Sequence, residues 1–367
     1  MRTYLTPGVY REEVLPAGRR ELRTGVCGLV GGSERGAPCT PAALQRYDAF
    51  RAAFGTSASG GYLAQAVEGF FANGGELCYV VRADLGDPGW LTKGLAALAP
   101  VEDVDLVCAP DIMAAAPDRR LALQHELLEH CAATGGRFAI LDALPGNSLA
   151  GVLAQRGEFG SRFGALYYPW IRTADGRALP PSGHIAGIYA RADRQAGFYA
   201  APANQEIAGA LDLVPPPGPG DGAALYAAGV NELRALPGRG IRVWGARTLA
   251  GPRNAEWADV NVCRLFITVG RWIERAMVTM TFAPNELSLW IRVRRELSDY
   301  LWGLWRQGGL MGESPEAAFY VKCDAETNPP EVRAAGLLVT EVGLAPIAPA
   351  EFIVARIVQR DGQTAII

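Results

Sequence analysis

The sequence lacks the features that mark membrane-spanning and secreted proteins. No apolar run approaches the ~20 consecutive residues that a transmembrane helix needs, so we expect no membrane span. The opening residues, MRTYLTPGVYREEV, contain no apolar segment of the kind found in secretory signals. We therefore expect the chain to be made in the cytosol.

The sequence also lacks a charge excess and a metal-binding pattern. Its 35 basic and 38 acidic residues give a net charge of −3, so no overall field attracts nucleic acid. The seven cysteines are scattered, none forms a CxxC pair, and most lie in apolar runs. These features predict buried free thiols in a reducing compartment rather than disulfides or a metal site. We predict no nucleic-acid partner, no metal and no cofactor.

What the sequence does contain is an alternation of short apolar strands with amphipathic helices. We predict helices over 62–73 and 118–133, and strands over 25–31, 77–83, 105–110, 137–143 and 164–170. Continuous apolar strands separated by helices are typical of a mainly parallel sheet that is covered on both faces. The predicted fold class is therefore α/β, with a doubly wound α/β sandwich as the body.

Two long helices and three further strands are predicted in the C-terminal third. The first helix runs from about Glu256 to Phe282 along a continuous apolar stripe. The second begins after Pro284, with Asn285 as its expected N-cap, and ends before Gly308. Strands are expected at 318–323, 336–345 and 351–358.

Three short motifs suggest chemistry but fail on spacing or order. His125 and His130 in HELLEH lie about 140° apart around a helix, so they cannot share one metal as HExxH does. Ser57 in GTSASG precedes all three histidines, the reverse of the order in subtilisin-like proteases. The glycine-rich turn at 28–36 has no lysine where a phosphate loop needs one. An α/β hydrolase-like enzyme and a nucleotide-binding module remain the competing hypotheses, and we predict no catalytic residues.

The C-terminal half and the first residues resemble the tail sheath proteins of contractile phage tails and contractile injection systems. The resemblance lies in TPGVYREEV (6–14), GRGIRVWGARTL (238–249), VNVCRLFITVGRWIERAM (260–277), FAPNELSLWIRVRRELSDYLWGLWRQGGLMG (282–312), FYVKCD (319–324) and TNPPEVRAAGLLVTEVGLAPIAPAEFIVARI (327–357). It implies a subtilisin-like fold without protease activity, hence a structural protein and not an enzyme.

The resemblance implies an assembly and a division of the chain. Copies, alone or together with sibling sheath proteins, would stack as sixfold rings around an inner tube protein, contact baseplate and tail terminator or cap proteins, and contract to drive the tube through a target envelope. The particle would be a phage virion tail or a contractile injection particle. The expected parts are an N-terminal arm (1–24), an α/β domain (25–235, with a variable middle at about 90–235), a C-terminal α/β domain (236–345) and a C-terminal arm (346–367).

Both arms are expected to add strands to sheets of neighbouring copies. The segment EFIVARIVQR is mostly apolar on both faces, which suits a strand inserted into a sheet. The alternative is that it forms an edge strand of the chain's own sheet. The segment 344–351, with two prolines, is the expected hinge. The predicted contacts between copies are Val9, Tyr10, Val14, Phe352, Ile353, Val354, Ala355, Arg356 and Ile357.

The second long helix offers a candidate surface for the inner tube. Arg292, Arg295 and Arg306 lie away from its apolar stripe, so they could make charge contacts with the tube that break on contraction. The alternative is a helix face that water alone covers.

Overall fold

The structure is a computed structural model that describes residues 22–347, 353–360 and 363–366, with the backbone alone for 252, 253 and the last two ranges. The strands are β1 (Cys27–Gly31), β2 (Ala42–Leu44), β3 (Cys78–Arg82), β4 (Leu106–Cys108), β5 (Phe138–Asp142), β6 (Gly164–Tyr168), β7 (Trp170–Arg172), β8 (Ala178–Leu179), β9 (Asp212–Val214), β10 (Asn231–Leu236), β11 (Gly240–Val243), β12 (Phe319–Lys322), β13 (Leu337–Leu344), β14 (Ile353–Arg360) and β15 (Gln363–Ile366). The α-helices are α1 (Tyr47–Phe54), α2 (Leu63–Ala72), α3 (Trp90–Leu98), α4 (Arg120–Thr134), α5 (Leu149–Gly157), α6 (Ser182–Ala196), α7 (Asp221–Ala228), α8 (Val260–Met277), α9 (Leu287–Arg306), α10 (Pro315–Ala318) and α11 (Pro330–Ala334). Short 3-10 helices lie at Pro110–Ala114, Pro252–Trp257 and Val278–Met280.

The largest sheet has eight described strands in the order β11-β10-β6-β5-β4-β1-β3-β2. The six central strands, from β10 to β3, run parallel, and β11 and β2 close the two edges antiparallel. All five residues of β1, β5 and β6 are buried, as expected for strands that helices cover on both faces. The predicted parallel sheet is confirmed, and it extends beyond residue 236, where the sequence places the second domain.

Two apolar cores lie on opposite faces of this sheet. Helices α1, α2, α6 and the first half of α8 bury one face, around Phe50, Phe70 and Ile185. Helices α3, α4, α5 and α7 bury the other, around Leu91, Leu127 and Val152. The body is thus a three-layer α/β sandwich. Six of the seven cysteines are buried and free as predicted, while Cys39 is also free but exposed.

The C-terminal part forms a smaller α/β unit with its own core. Its four described strands are antiparallel in the order β12-β13-β14-β15. The apolar stripe of α9 and the second half of α8 pack with β12 and β13, and their shared core contains Ile273, Val293, Leu297, Leu301 and Val342. Because α8 contributes to this core and to the core of the large sheet, it joins the two units.

Three local expectations need correction. The strand expected over 164–170 breaks at Pro169, which has no N–H for a sheet hydrogen bond, and continues as β7 in a separate small sheet. The first long helix is shorter than 256–282, because 3-10 turns flank it at both ends. Asn285 is not the N-cap of α9, a position that Glu286 occupies. The Asn285 amide instead donates to the carbonyl of Leu337 (2.7 Å) and accepts from the Trp290 indole (2.7 Å).

Candidate assembly surfaces and a buried charge network

The C-terminal strand β14 pairs with β13 of its own chain. All eight residues are in register, from Leu337 opposite Arg360 to Leu344 opposite Ile353. Strand β15 then pairs with the second half of β14 in a hairpin. In the single chain, residues 353–360 therefore complete their own sheet, which is the alternative that the sequence left open. The predicted contact Phe352 lies outside the described residues.

Strand β13 needs a partner on both edges. Six of its eight residues are buried, with intermediate exposure at Leu337 and Glu341, and β12 covers one edge over four residue pairs. Without β14, the N–H and C=O groups of the other edge would be left unpaired, which costs free energy when water cannot replace the bonds. The β14-facing edge of β13 is therefore an acceptor site for an eight-residue strand. The contacts predicted for the N-terminal arm, Val9, Tyr10 and Val14, lie outside the described residues.

Helix α9 presents an exposed face opposite its buried stripe. Arg292, Arg295 and Arg306 are all exposed on this face. Two large apolar side chains accompany them, Ile291 at 49% and Trp302 at 45% exposure. The Arg306 guanidinium lies over the Trp302 ring, 4.8 Å from its centroid. This mixture of cationic and apolar groups suits contact with an acidic protein surface.

A buried charge network joins α8 to the large sheet. The Arg264 guanidinium donates to both carboxylate oxygens of Asp193 (2.5 and 2.6 Å) and to Asp105 (3.0 Å). Asp105 in turn accepts from the backbone N–H groups of Gly25 (3.0 Å) and Val26 (2.7 Å). Burial alone would lower the pKa of Arg264, but the two carboxylates raise it above its usual value, so the guanidinium stays charged. Sequence reasoning missed this site, since its members are far apart along the chain.

Two further arginines of α8 extend this contact. Arg271 donates to the carbonyls of Glu102 (2.8 Å) and Asp103 (2.9 Å), and Arg275 pairs with the Asp103 carboxylate at 2.9 Å. With Arg264 they lie on one side of α8, because seven and eleven residues are close to two and three helical turns. The helix therefore holds the 102–105 loop and residues 25–26, where the chain enters the sheet.

The glycine-rich turn at 28–36 already holds a carboxylate where a phosphate would bind. Asp111 is buried and accepts from the backbone N–H groups of Gly32 (2.7 Å) and Tyr62 (2.5 Å). It lies at the start of α2, where helix N–H groups favour an anion. Burial raises the pKa of Asp111 to about 6, while these N–H groups lower it. An internal side chain thus fills this anion site.

The candidate protease and metal residues make structural contacts. The Ser57 hydroxyl accepts from the Ala64 N–H (2.7 Å), as a cap at the start of α2 would, and donates to Gln65 (3.0 Å). His125 packs against the Phe159 ring at 4.8 Å. His130 contacts the Arg137 guanidinium at 2.8 Å, and burial and this cation lower its pKa to about 4. Within the described ranges, no group of three His, Cys, Asp or Glu side chains could hold a metal.

Comparison with known proteins decides the family. Residues 88–249 match the model of the phage tail sheath protein central domain, and residues 253–360 match that of the phage tail sheath C-terminal domain. A chain of the contracted sheath complex of the extracellular contractile injection system PVC is 30% identical, with a TM-score of 0.77 over 96% of this chain and 97% of that one. The chain belongs to the phage tail sheath protein family.

Other sheath proteins show the same likeness. A chain in the cryo-EM structure of the anti-feeding prophage baseplate has 28% identity and a TM-score of 0.78, covering 96% of this chain and 98% of that chain. A putative prophage major tail sheath protein of Pseudomonas aeruginosa is 26% identical over 230 residues, 58% of this chain and 55% of that protein. The chain spans about half the length of the curated sheath proteins that it matches. No helix in the described part of this sheath-family chain is long and apolar enough to cross a bilayer.

Proposed function

We propose that this chain is a structural subunit of a contractile sheath. Copies would stack as sixfold rings around an inner tube, and contraction would drive the tube through a target envelope. The observation that carries the proposal is the likeness to chains of contractile injection systems, which extends over 96% of this chain and includes a contracted sheath complex. Copies of the chain, the inner tube, the baseplate and a terminator or cap protein are the proposed partners. The particle would be assembled in the bacterial cytoplasm.

Exchange of the C-terminal strand would link neighbouring copies. The pairing of β14 with β13 consists of backbone hydrogen bonds in a fixed register, and these bonds form equally well when β14 comes from another copy. The strand that closes the sheet in a single chain would then close the sheet of a neighbour. The proposed C-terminal contacts are Phe352, Ile353, Val354, Ala355, Arg356 and Ile357, and those of the N-terminal arm are Val9, Tyr10 and Val14.

The proposed pivot of the C-terminal arm lies in the second half of the predicted hinge. The Ala345 N–H donates to the Ala318 carbonyl at 2.8 Å, and Pro346 forms a bridge with Leu310. Residues 344–346 of the predicted hinge are therefore attached to the body. The pivot of an exchanged arm would begin after Ile347.

The exposed arginines of α9 are the proposed contact to the inner tube. Arg292, Arg295 and Arg306 would face acidic side chains of the tube in the extended sheath. Exposed ion pairs contribute little individually, about 0–1 kcal/mol, so contraction could break them in turn. We propose no catalytic role, because Ser57, His125 and the Asp111 site each make structural contacts.

Electron microscopy of the purified protein tests the assembly. The full chain should form long tubes or rings, whereas a chain without residues 351–367 should stay unassembled. Circular dichroism of the truncated chain should retain the helices of the body, which separates lost assembly from lost folding. Normal tubes from the truncated chain would contradict the role of the C-terminal arm.

Cysteine pairs can tell exchanged strands from strands paired within one chain. Val342 lies opposite Ala355 in the β13–β14 register, and a Cys39→Ser background removes the exposed native thiol. Chains carrying only V342C are mixed with chains carrying only A355C and then assembled. A disulfide between the two chains is expected if strands exchange. Efficient cross-linking within the double variant V342C/A355C, with none between the single variants, would argue that each chain keeps its own strand.

A further inference from the structure

Phe282 lies in the turn between α8 and α9, where its side chain is exposed to water and its backbone is strained. The Phe282 side chain is fully exposed at 102% of its reference area. Its backbone has φ of +66°, in the left-handed region that bulky side chains rarely adopt. Exposure of a large apolar ring and backbone strain in the same residue are both costs to the lone chain, and such costs concentrate at functional sites. Two more exposed apolar residues lie within five positions of it in the sequence, Val278 at 65% and Leu287 at 62% exposure.

An open, mostly apolar cavity of about 470 Å³ lies at the other end of α8. A cavity of about 150 Å³ is already large enough for benzene, so this one has room for a phenyl ring. Its apolar lining consists of Tyr199, Ala200, Ala201, Tyr226, Ala246 and Ile347. Tyr226 at 62% and Ile347 at 41% exposure leave this lining open to water in the lone chain.

The cavity wall is held in place by polar contacts. The Asn261 amide donates to the carbonyls of both Tyr199 and Ile347, each at 3.2 Å. Arg247 pairs with Asp259 at 2.9 Å and lies over the Tyr226 ring, 5.3 Å from its centroid. A cavity whose walls are fixed before binding loses little conformational entropy when a ring enters it.

We propose that Phe282 of one copy inserts into this cavity of a second copy. The inference rests on the proposed sheath function, since it assumes that copies of the chain assemble. Asn261 is at the start of α8 and Phe282 follows its end, so the ring and the cavity are separated by the length of the 18-residue helix, about 27 Å. A projecting group and a complementary cavity at different places on one molecule make a head-to-tail contact, which repeats into rings or helices. That is the geometry a sheath requires.

Three variants test the contact through assembly, measured by sedimentation of tubes over a range of protein concentrations. Phe282→Ala should raise the concentration needed for assembly by about tenfold or more, the effect of losing a buried aromatic anchor. Phe282→Gly should weaken assembly equally while leaving the melting temperature of the lone chain unchanged or higher, because glycine adopts positive φ without strain. Leu211→Ala, at an apolar site that is 69% exposed, is the matched control and should change neither.

Cross-linking identifies the occupant of the cavity. In a Cys39→Ser background, chains carrying both F282C and A201C should form a disulfide ladder of many lengths, as a head-to-tail contact requires. The control pair L211C and A201C should form no such ladder. If wild-type tubes form, yet both Phe282 variants assemble at the wild-type concentration or the F282C/A201C ladder does not exceed the control, the inference fails and the sheath function stands. Failure of the wild-type chain to assemble at all would instead contradict the proposed function.

Discussion

Replacement of Arg264 by methionine is the most direct test of the link between α8 and the large sheet. Methionine keeps much of the apolar stem of the side chain and removes the guanidinium. It leaves Asp105 and Asp193, whose side chains are 2% and 3% exposed, without their cation. Removal of one partner from a buried ion pair costs about 3–5 kcal/mol, because the remaining charge has lost its hydration and its partner. Since the free energy of unfolding of a native domain is about 5–15 kcal/mol, this loss is a large fraction of the stability.

Urea unfolding followed by tryptophan fluorescence measures this loss, at protein concentrations too low for assembly. Arg275→Met is the matched control, because Arg275 lies on the same side of α8 and pairs with Asp103, with both side chains 30% exposed. A partly exposed pair contributes about 1 kcal/mol or less. We therefore expect the R264M variant to lose several times more unfolding free energy than R275M.

The pH dependence gives the same test a second readout. Burial already raises the pKa of Asp193 in the wild type although Arg264 lowers it, so removal of the cation in R264M should raise the Asp193 pKa further above the unfolded value. A raised folded-state pKa contributes stability that is present at low pH and is lost as the pH rises. The deficit of R264M should therefore shrink as the pH falls from 8 to 5, and adding Asp193→Asn should recover part of it at pH 8. A deficit equal to that of R275M, or one independent of pH, would refute this account of the network.

Three further predictions concern the body and helix α9, which is proposed to contact the tube. Asp142 is buried against the start of α6, and burial raises its pKa to about 7. The unfolding free energy of the wild type, relative to D142N, should therefore fall by about 1 kcal/mol per pH unit between pH 5 and 7. Urea titrations at several pH values measure this fall. Gly183→Ala should cost about 1–3 kcal/mol in thermal or urea unfolding, because its Cβ would lie 2.3 Å from a backbone oxygen of α2. Gly303→Ala on α9, where a Cβ meets nothing within 4 Å, is its control and should gain up to about 1 kcal/mol of helix stability. The double replacement R292Q/R295Q should lower the unfolding free energy of the lone chain by about 1 kcal/mol or less, because it removes at most two exposed i,i+4 pairs, yet weaken co-sedimentation with the tube protein; unchanged co-sedimentation would contradict the proposed contact of these arginines with the tube.

Much of the body was predictable from local patterns. The expected helices at 62–73 and 118–133 correspond to Leu63–Ala72 and Arg120–Thr134, because apolar residues recur there at helical spacing. The strands around Cys27, Phe138 and Gly164 are continuous apolar runs, which is how fully buried parallel strands read in sequence. The fold class, and the presence of helices on both faces of the sheet, follow from this alternation of strands and helices.

Other features depend on partners that lie far away in sequence. The Asn285 side chain has the chemistry of an N-cap, but its hydrogen bond to Leu337, 52 residues later, places it one residue before the cap. For β14, both faces of the strand are mostly apolar, which predicts an inserted strand and leaves open which sheet receives it. The single chain pairs it with its own β13, while the contacts proposed between copies and with the tube remain predictions.

The sequence by itself determined the alternation of strands and helices, their apolar faces and the absence of intact catalytic motifs, since these depend on the spacing of neighbouring residues. Only the tertiary structure decided which charges meet. Arg264 is separated by 159 residues from Asp105 and by 71 from Asp193, and no local pattern distinguishes it from an arginine on a solvated helix face. It is buried because α8 packs against the large sheet at that position, where the two carboxylates offset the cost of removing its charge from water.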